Sequence, residues 1–269
     1  MSGSALDTGP RAWLRPDWAA DRVGALMTTR RGGVSAAPFD SFNVRCEVGD
    51  DPVAVARNRA LLAVAIGAAP VYLNQVHGAA VVRLVGADAA PGAPAHTADG
   101  CITTEPGIAC TAQVADCLPV LFAAPQGRAV GAAHAGWRGL AQGVLEATLA
   151  ELCAAAECSP GEVRAWLGAC IGPQRFEVGA DVLAAFGVEA GEAAAGGPAS
   201  RRFKPGLPNK WLADLTGLAR DRLSAAGVRR IGGGGSCTVS DAARFFSFRR
   251  DGVTGRMVAA VWIDAGPVG

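Results

Sequence analysis

Six short extended runs crowd the stretch between Pro70 and His134, and no helical pattern separates them. They are Val71 to Leu73, Ala80 to Val85, Gly100 to Thr104, Ile108 to Val114, Leu118 to Ala124 and Ala129 to His134, with Pro106-Gly107 and Pro125-Gln126-Gly127 as turn formers between them. A wholly parallel sheet alternates its strands with crossovers of a dozen or more residues, usually helices, and no such regular alternation is seen here. The chain is therefore expected to be a layered, mixed-sheet α+β protein rather than a Rossmann fold or a barrel of alternating strands and helices. Further strands are expected at Val23 to Thr29, Val163 to Gly168 and Arg256 to Ile263. Helices are expected from Pro52 to about Ile66, where Asp51 caps the start and Gly67 stops it, and over 140–156, 181–186 and 212–226.

Half of the residues are hydrophobic and only 18% are charged, below the usual quarter or so, which favours one compact core. Residues 1–22 read as a lead-in, 23–269 as a single domain, and 189–200 as a low-complexity surface loop. The net charge of +1 and the shortness of the basic pairs Arg30-Arg31, Arg201-Arg202 and Arg249-Arg250 exclude a nucleic-acid stripe. No apolar run approaches the roughly 18 residues of a membrane span; the longest, Ala60 to Leu73, contains Gly67 and Pro70. Without an apolar leader the expected address is cytoplasmic, so the eight cysteines are expected as free thiols, most of them small core residues. None forms a CxxC pair, which excludes a zinc ribbon.

Only three histidines are present. His77 in NQVHG and His134 in GAAHAGWRG lie at strand ends beside glycine, and Cys117 in VADCLPV lies between them. Two imidazoles and a thiolate are a competent set for zinc or copper with a fourth position open. The spacing alone leaves a second reading open, in which two hydrogen-bonded histidines and a buried cysteine serve structure only. His134 leads directly into the helix expected at 140–156, whose backbone N–H groups and Arg138 would suit an anion. His96, in PGAPAHTADG, reads as a surface histidine.

The phrases TTRRGGVS, NQVHG, ADCLPV, HAGWRG, IGP..FEV and FFSFRRDG.TGR occur in this order across residues 23 to 263. Together they resemble the YfiH or laccase-domain family, also called multicopper polyphenol oxidases. The resemblance implies a four-layer α/β/β/α sandwich and one zinc held by His77, Cys117 and His134. It implies phosphorolysis of purine nucleosides (adenosine, inosine, guanosine, methylthioadenosine) with phosphate as co-substrate, together with adenosine deamination. It places polar pocket groups at Arg30, Asn43, Arg138 and Arg57 or Arg59, and Asp116 beside Cys117 as a carboxylate supporting the metal or acting as general acid/base. The chain departs from the family where many members carry a cysteine after IGP: Gln174 follows here, and Cys170 before it reads as core packing.

Two other chemistries fit the same residues. Copper at this triad would oxidise phenols, although three histidines cannot build a four-copper laccase. A metal-free Cys–His hydrolase, with Cys117 as nucleophile and His77 or His134 as base, would suit an amide such as a serine-bearing peptidoglycan precursor. The partners expected are a small nucleoside and phosphate, with no nucleic acid and no membrane.

Overall fold

The computed structural model describes residues 12–189 and 200–265. In chain order the first strands are β1 (Val23–Met27), β2 (Ala69–Val71), β3 (Val81–Arg83), β4 (Gly100–Thr103), β5 (Ile108–Val114), β6 (Leu118–Ala123) and β7 (Val130–Ala135). There follow β8 (Arg164–Leu167), β9 (Glu177–Val178), β10 (Phe203–Pro205), β11 (Trp211–Ala213), β12 (Arg230–Gly233) and β13 (Met257–Ile263). The helices are α1 (Pro52–Ile66), α2 (Trp137–Gln142), α3 (Val144–Ala156), α4 (Ala180–Ala185), α5 (Leu215–Ala225) and α6 (Phe248–Asp251).

Two mixed sheets stack face to face. One has the order β12-β8-β6-β7-β4-β3 and the other β1-β13-β5-β2, with a small β10-β11-β9 sheet beside them. Period-two alternation decides which layer each side chain joins. Ile108, Cys110, Ala112 and Val114 of β5 enter the core between the sheets, where they meet Leu121, Val130 and Ala132 of the larger sheet. Ala109 faces the opposite way and packs with Leu62 and Ile66 of α1. Leu118, Val120 and Phe122 of β6 pack under α3 and α5. Three apolar clusters thus separate four layers, α/β/β/α, as the resemblance implied.

Local chemistry sets the boundaries. The Asp51 side chain accepts the N–H of Val53, Pro52 opens α1, and Gly67 ends it at φ 64°. The single helix expected over 140–156 is two, because Gly143 at φ 95° breaks it between α2 and α3. The helix expected over 212–226 starts late: β11 takes its first residues, and Asp214 caps α5 by accepting the N–H of Gly217. Part of the expected lead-in belongs to the fold, since Leu14 pairs with Met27 and Trp13 packs edge-on to Phe42 at 5.2 Å. The loop expected at 189–200 lies almost wholly outside the described residues. Among the described residues no helix is long and apolar enough to cross a membrane. All eight cysteines are free thiols.

Candidate metal centre

The hairpin of β6 and β7 brings two of the three candidate donors together. Leu118 pairs with Ala135 and Pro119 with His134, so Cys117, one residue before β6, stands beside the end of β7. His77 arrives on the loop before β3 in a left-handed turn at φ 61°. The donor atoms of His77, Cys117 and His134 all lie within 4.8 Å of one another, and the two imidazoles meet edge-on with centroids 4.8 Å apart. His134 is buried, Cys117 half-buried and His77 exposed, so the cluster is closed on one side and open to solvent on the other.

Asp99, immediately before β4, organises this cluster. Its fully buried carboxylate accepts the backbone N–H groups of Val76, His77 and Gly78 at 3.1, 3.0 and 2.7 Å, and lies 2.8 Å from Nδ1 of His134. One side chain therefore shapes the NQVHG turn and fixes the His134 ring with Nε2 towards the cluster, the arrangement by which carboxylates orient metal-bound imidazoles. Burial alone would raise the Asp99 pKa, but the bonds from His134 and Gly78 override it and hold it below the usual value. Asp99→Asn is expected to weaken metal affinity by about 10- to 100-fold while the fold persists. Competition against a chromophoric chelator checks this, and unchanged affinity removes Asp99 from the role.

Burial likewise opposes the charged forms of Cys117 and His134, yet each sustains the other. The neighbouring His134 draws the Cys117 thiol down to about 6, and Cys117 together with Asp99 raises His134 to about 9. Between these values the metal-free pair is a thiolate facing an imidazolium. A cation entering there must expel the His134 proton, so affinity is expected to rise about tenfold per pH unit between about pH 6 and 9. A competition titration across that window reads the slope, and a flat profile contradicts the pairing.

The donors fit a transition-metal ion. Thiolate and imidazole are the ligands zinc and copper prefer, and three of them leave a position open. The backbone is cut to suit: a Cβ on Gly136 would lie 2.7 Å from Nδ1 of His77 and 3.1 Å from Sγ of Cys117.

The triad opens into a cleft of about 440 Å³ that also presents Arg45, Arg256, Gln113 and Phe248. Burial and the nearby Arg45 push the Arg256 guanidinium below its ordinary pKa. Buried Asn43 sets both: its Oδ1 accepts the backbone N–H of Arg45 at 3.1 Å and of Arg256 at 2.8 Å, and its Nδ2 donates to the Arg45 carbonyl and to Asp50.

A family model described as multi-copper polyphenol oxidoreductase laccase matches residues 24–264. The chain belongs to this laccase-domain family. It is 48% identical to a Pseudomonas aeruginosa protein named purine nucleoside phosphorylase, over 94% of this chain and 99% of the relative. The Escherichia coli purine nucleoside phosphorylase YfiH is 44% identical over 92% of this chain and 97% of its own. A Neisseria meningitidis crystal structure superposes with a TM-score of 0.85 at 44% identity, covering 94% of this chain and all of that one. YlmD from Geobacillus stearothermophilus gives 0.85 at 33% identity, covering 96% and 98%.

In this laccase-domain protein the other residues singled out from sequence fall elsewhere. Asp116, in a left-handed turn at φ 91°, is engaged by the Thr238 hydroxyl at 2.6 Å and the Arg249 backbone N–H at 2.7 Å, and does not line the cleft. Arg30 bonds to Asp40 and the Ala242 carbonyl in a separate surface pocket. Arg138 is exposed, stacks over Trp137 at 4.2 Å and lies outside the cleft lining. Arg59 donates to the Val44 carbonyl and lies over Tyr72, and Arg57 is exposed. Cys170 is core, its thiol pushed up to about 12 by burial; Gln174 is exposed, and His96 pairs with Asp88 at 2.7 Å. Sequence reasoning passed over Asp99, Arg45 and Arg256. Asp99 carried one signal, a carboxylate between turn and strand in HTADG; the arginines stand inside quoted or adjoining phrases, SFNVR and TGR, with nothing to set them apart.

Proposed function

We propose that this chain is a purine nucleoside phosphorylase that depends on one zinc ion held by His77, Cys117 and His134. The observation that carries the phosphate half of this reading is that Arg45 and Arg256, their backbones joined through Asn43, both line the cleft of the triad. Asn43 fixes the backbones of both arginines, and two cationic side chains in one cleft favour an anion between them. The names of the relatives and the size of the cleft, within the range of small-molecule sites, support the nucleoside half.

In the reaction, the bond from the ribose anomeric carbon to the purine nitrogen breaks as a phosphate oxygen bonds to that carbon. Arg45 and Arg256 hold the phosphate and spread its charge, and Asn43 keeps their backbones in register. Glu47, 3.2 Å from Arg45 on the exposed rim, yields its guanidinium partner to the incoming anion. A bound zinc supplies Lewis-acid polarisation of an oxygen or nitrogen acceptor on the reactants. Deamination of adenosine stays secondary: it calls for a proton-shuttling carboxylate, and among the described residues the one lining this cleft is Glu47, which pairs with Arg45 when no phosphate is bound.

The test is inosine plus phosphate, with free hypoxanthine measured before and after chelation. Release that depends on both phosphate and metal is expected; phosphorolysis undiminished in metal-free protein overturns the proposal. Arg45→Gln and Arg256→Gln are each expected to raise the phosphate KM about tenfold or more, the value of a charge-assisted hydrogen bond, with metal content unchanged. An unaltered phosphate KM in both sinks the anion assignment.

A second reading has one observation in its favour, the thiolate–imidazolium pair of Cys117 and His134, which is the resting state of a Cys–His nucleophile. It predicts amide hydrolysis that survives chelation and is abolished by alkylating Cys117. Copper-loaded protein assayed with phenols separates the oxidase alternative.

A further inference from the structure

The phosphate and metal ends of the cleft leave its remaining side chains without a task, and two of them are placed in ways that folding does not explain. Gln113 is only 4% exposed yet lines the cleft. Its backbone is saturated by Gln75, whose Oε1 accepts the Gln113 N–H at 2.8 Å while Nε2 donates to the Gln113 carbonyl at 2.9 Å. Its own Oε1 faces Nη1 of Arg45 at 3.5 Å. A guanidinium has only donors to offer, so this contact fixes which end of the amide is which. Nε2 is left pointing away from Arg45, and no described residue accepts from it. This donor is open to the cleft, where an acceptor on a ligand can meet it.

Phe248 shows the opposite anomaly. It is 59% exposed, a large apolar ring at the mouth of the same cleft, with the Arg256 guanidinium 5.8 Å from its centroid. Its neighbours Phe245 and Phe246 are fully buried, so the core had a use for phenylalanine in this segment. The short helix α6 that carries Phe248 is pinned on several sides. Ser247 caps it by accepting the Arg250 N–H, Arg250 donates to the carbonyls of Thr238, Val239 and Phe245, and the Arg249 N–H bonds to Asp116. The ring is thus presented over the cleft from a rigid base. Flat apolar surface at a binding cleft suits the face of an aromatic ligand.

We propose that Gln113 and Phe248 form the subsite for the purine base, Phe248 stacking on its face and Nε2 of Gln113 donating to N7 on its edge. This rests on the phosphorylase reading. As the glycosidic bond breaks, the electron pair passes to the departing base and spreads over its imidazole ring, so charge grows at N7. A donor already aimed there stabilises the transition state more than the ground state. Stacking serves both states alike and acts through KM. The subsite therefore divides its labour: Phe248 sets affinity for purines over smaller pyrimidine rings, and Gln113 is the catalytic residue that assists the leaving group.

The test uses metal-loaded full-length protein. Free hypoxanthine and 7-deazahypoxanthine, which lacks the N7 acceptor, are titrated calorimetrically into the wild type, Phe248→Ala, Phe248→Trp and Gln113→Met; kcat and KM for inosine and for phosphate are measured alongside. Phe248→Ala is expected to weaken both bases about tenfold and to raise the inosine KM with kcat nearly unchanged, and Phe248→Trp to restore both. Gln113→Met is expected to weaken hypoxanthine about tenfold, to leave the 7-deaza base as it was, and to lower kcat. Metal content stays near wild type in all variants. Equal loss of both bases in Gln113→Met, or hypoxanthine bound by Phe248→Ala as tightly as by the wild type, overturns this inference while inosine phosphorolysis by the wild type leaves the broader reading standing. A wild type that neither binds hypoxanthine nor cleaves inosine overturns both.

Discussion

His134→Ala is expected to lose its metal and about three orders of magnitude in phosphorolysis rate. Three consequences converge on this one side chain. The triad drops to two donors, below what holds zinc tightly in a solvent-facing site. The Asp99 carboxylate, fully buried, loses its imidazole partner and keeps only the backbone bonds of the NQVHG turn. Lewis-acid stabilisation worth several kcal/mol is lost with the ion, and about 4 kcal/mol corresponds to roughly 10³ in rate. The same substitution removes the neighbour that draws Cys117 down to about 6. Alkylation of Cys117 near neutral pH in the metal-free protein is therefore expected to slow, because less of the thiol is ionised. Bound metal, steady-state rate and labelling rate together check the account, and a circular dichroism melt shows whether the buried substitution has cost the fold. Full metal occupancy with a normal rate in a folded variant removes His134 from the centre.

The layered fold was legible in the sequence because its signals are local. The crowding of short apolar runs argued against a regular alternation of strand and helix, and Asp51 and Gly67 stand directly at the two ends of α1. The β9–β11 sheet was not legible, since strands of two or three residues, such as Glu177–Val178, carry no periodicity to read. The break at Gly143 was visible as a residue but not as an event, because only its left-handed torsion separates α2 from α3.

The three candidate donors stood out for a different reason: histidine is rare here, and two of its three copies stand one or two residues before a glycine. Spacing alone left ligands and structural residues both open, and the motif resemblance was what favoured ligands. What escaped is everything that acts through distance in the chain. Asp99 lies 35 residues from His134 and becomes its partner only because β4 pairs with β7. Arg45 and Arg256 lie at opposite ends of the sequence and meet through Asn43. Asp116 shows the converse: adjacency to Cys117 drew attention to it in the sequence, while its carboxylate partners, Thr238 and Arg249, lie 122 and 133 residues away.

Gly136→Ala is the sharpest probe of the centre, because it adds one carbon and changes nothing else. At φ −63° and ψ 160° Gly136 has a backbone that alanine adopts without strain, so the chain does not need glycine there for its conformation. It needs it for space: the new Cβ would sit 2.7 Å from Nδ1 of His77 and 3.1 Å from Sγ of Cys117. Those neighbours are side chains of the triad, and His77 is the exposed member, held by the turn that Asp99 organises. Relief by rotating His77 outward costs the fold little and breaks the convergence of the three donors. The expected result is a protein with a near-normal melting temperature, metal affinity lower by at least about 100-fold, and phosphorolysis lowered in proportion and partly recovered at high metal concentration. Recovery by added metal separates this outcome from a damaged fold. Wild-type metal affinity in Gly136→Ala would show that the ion, if one binds, is not held where these three side chains meet.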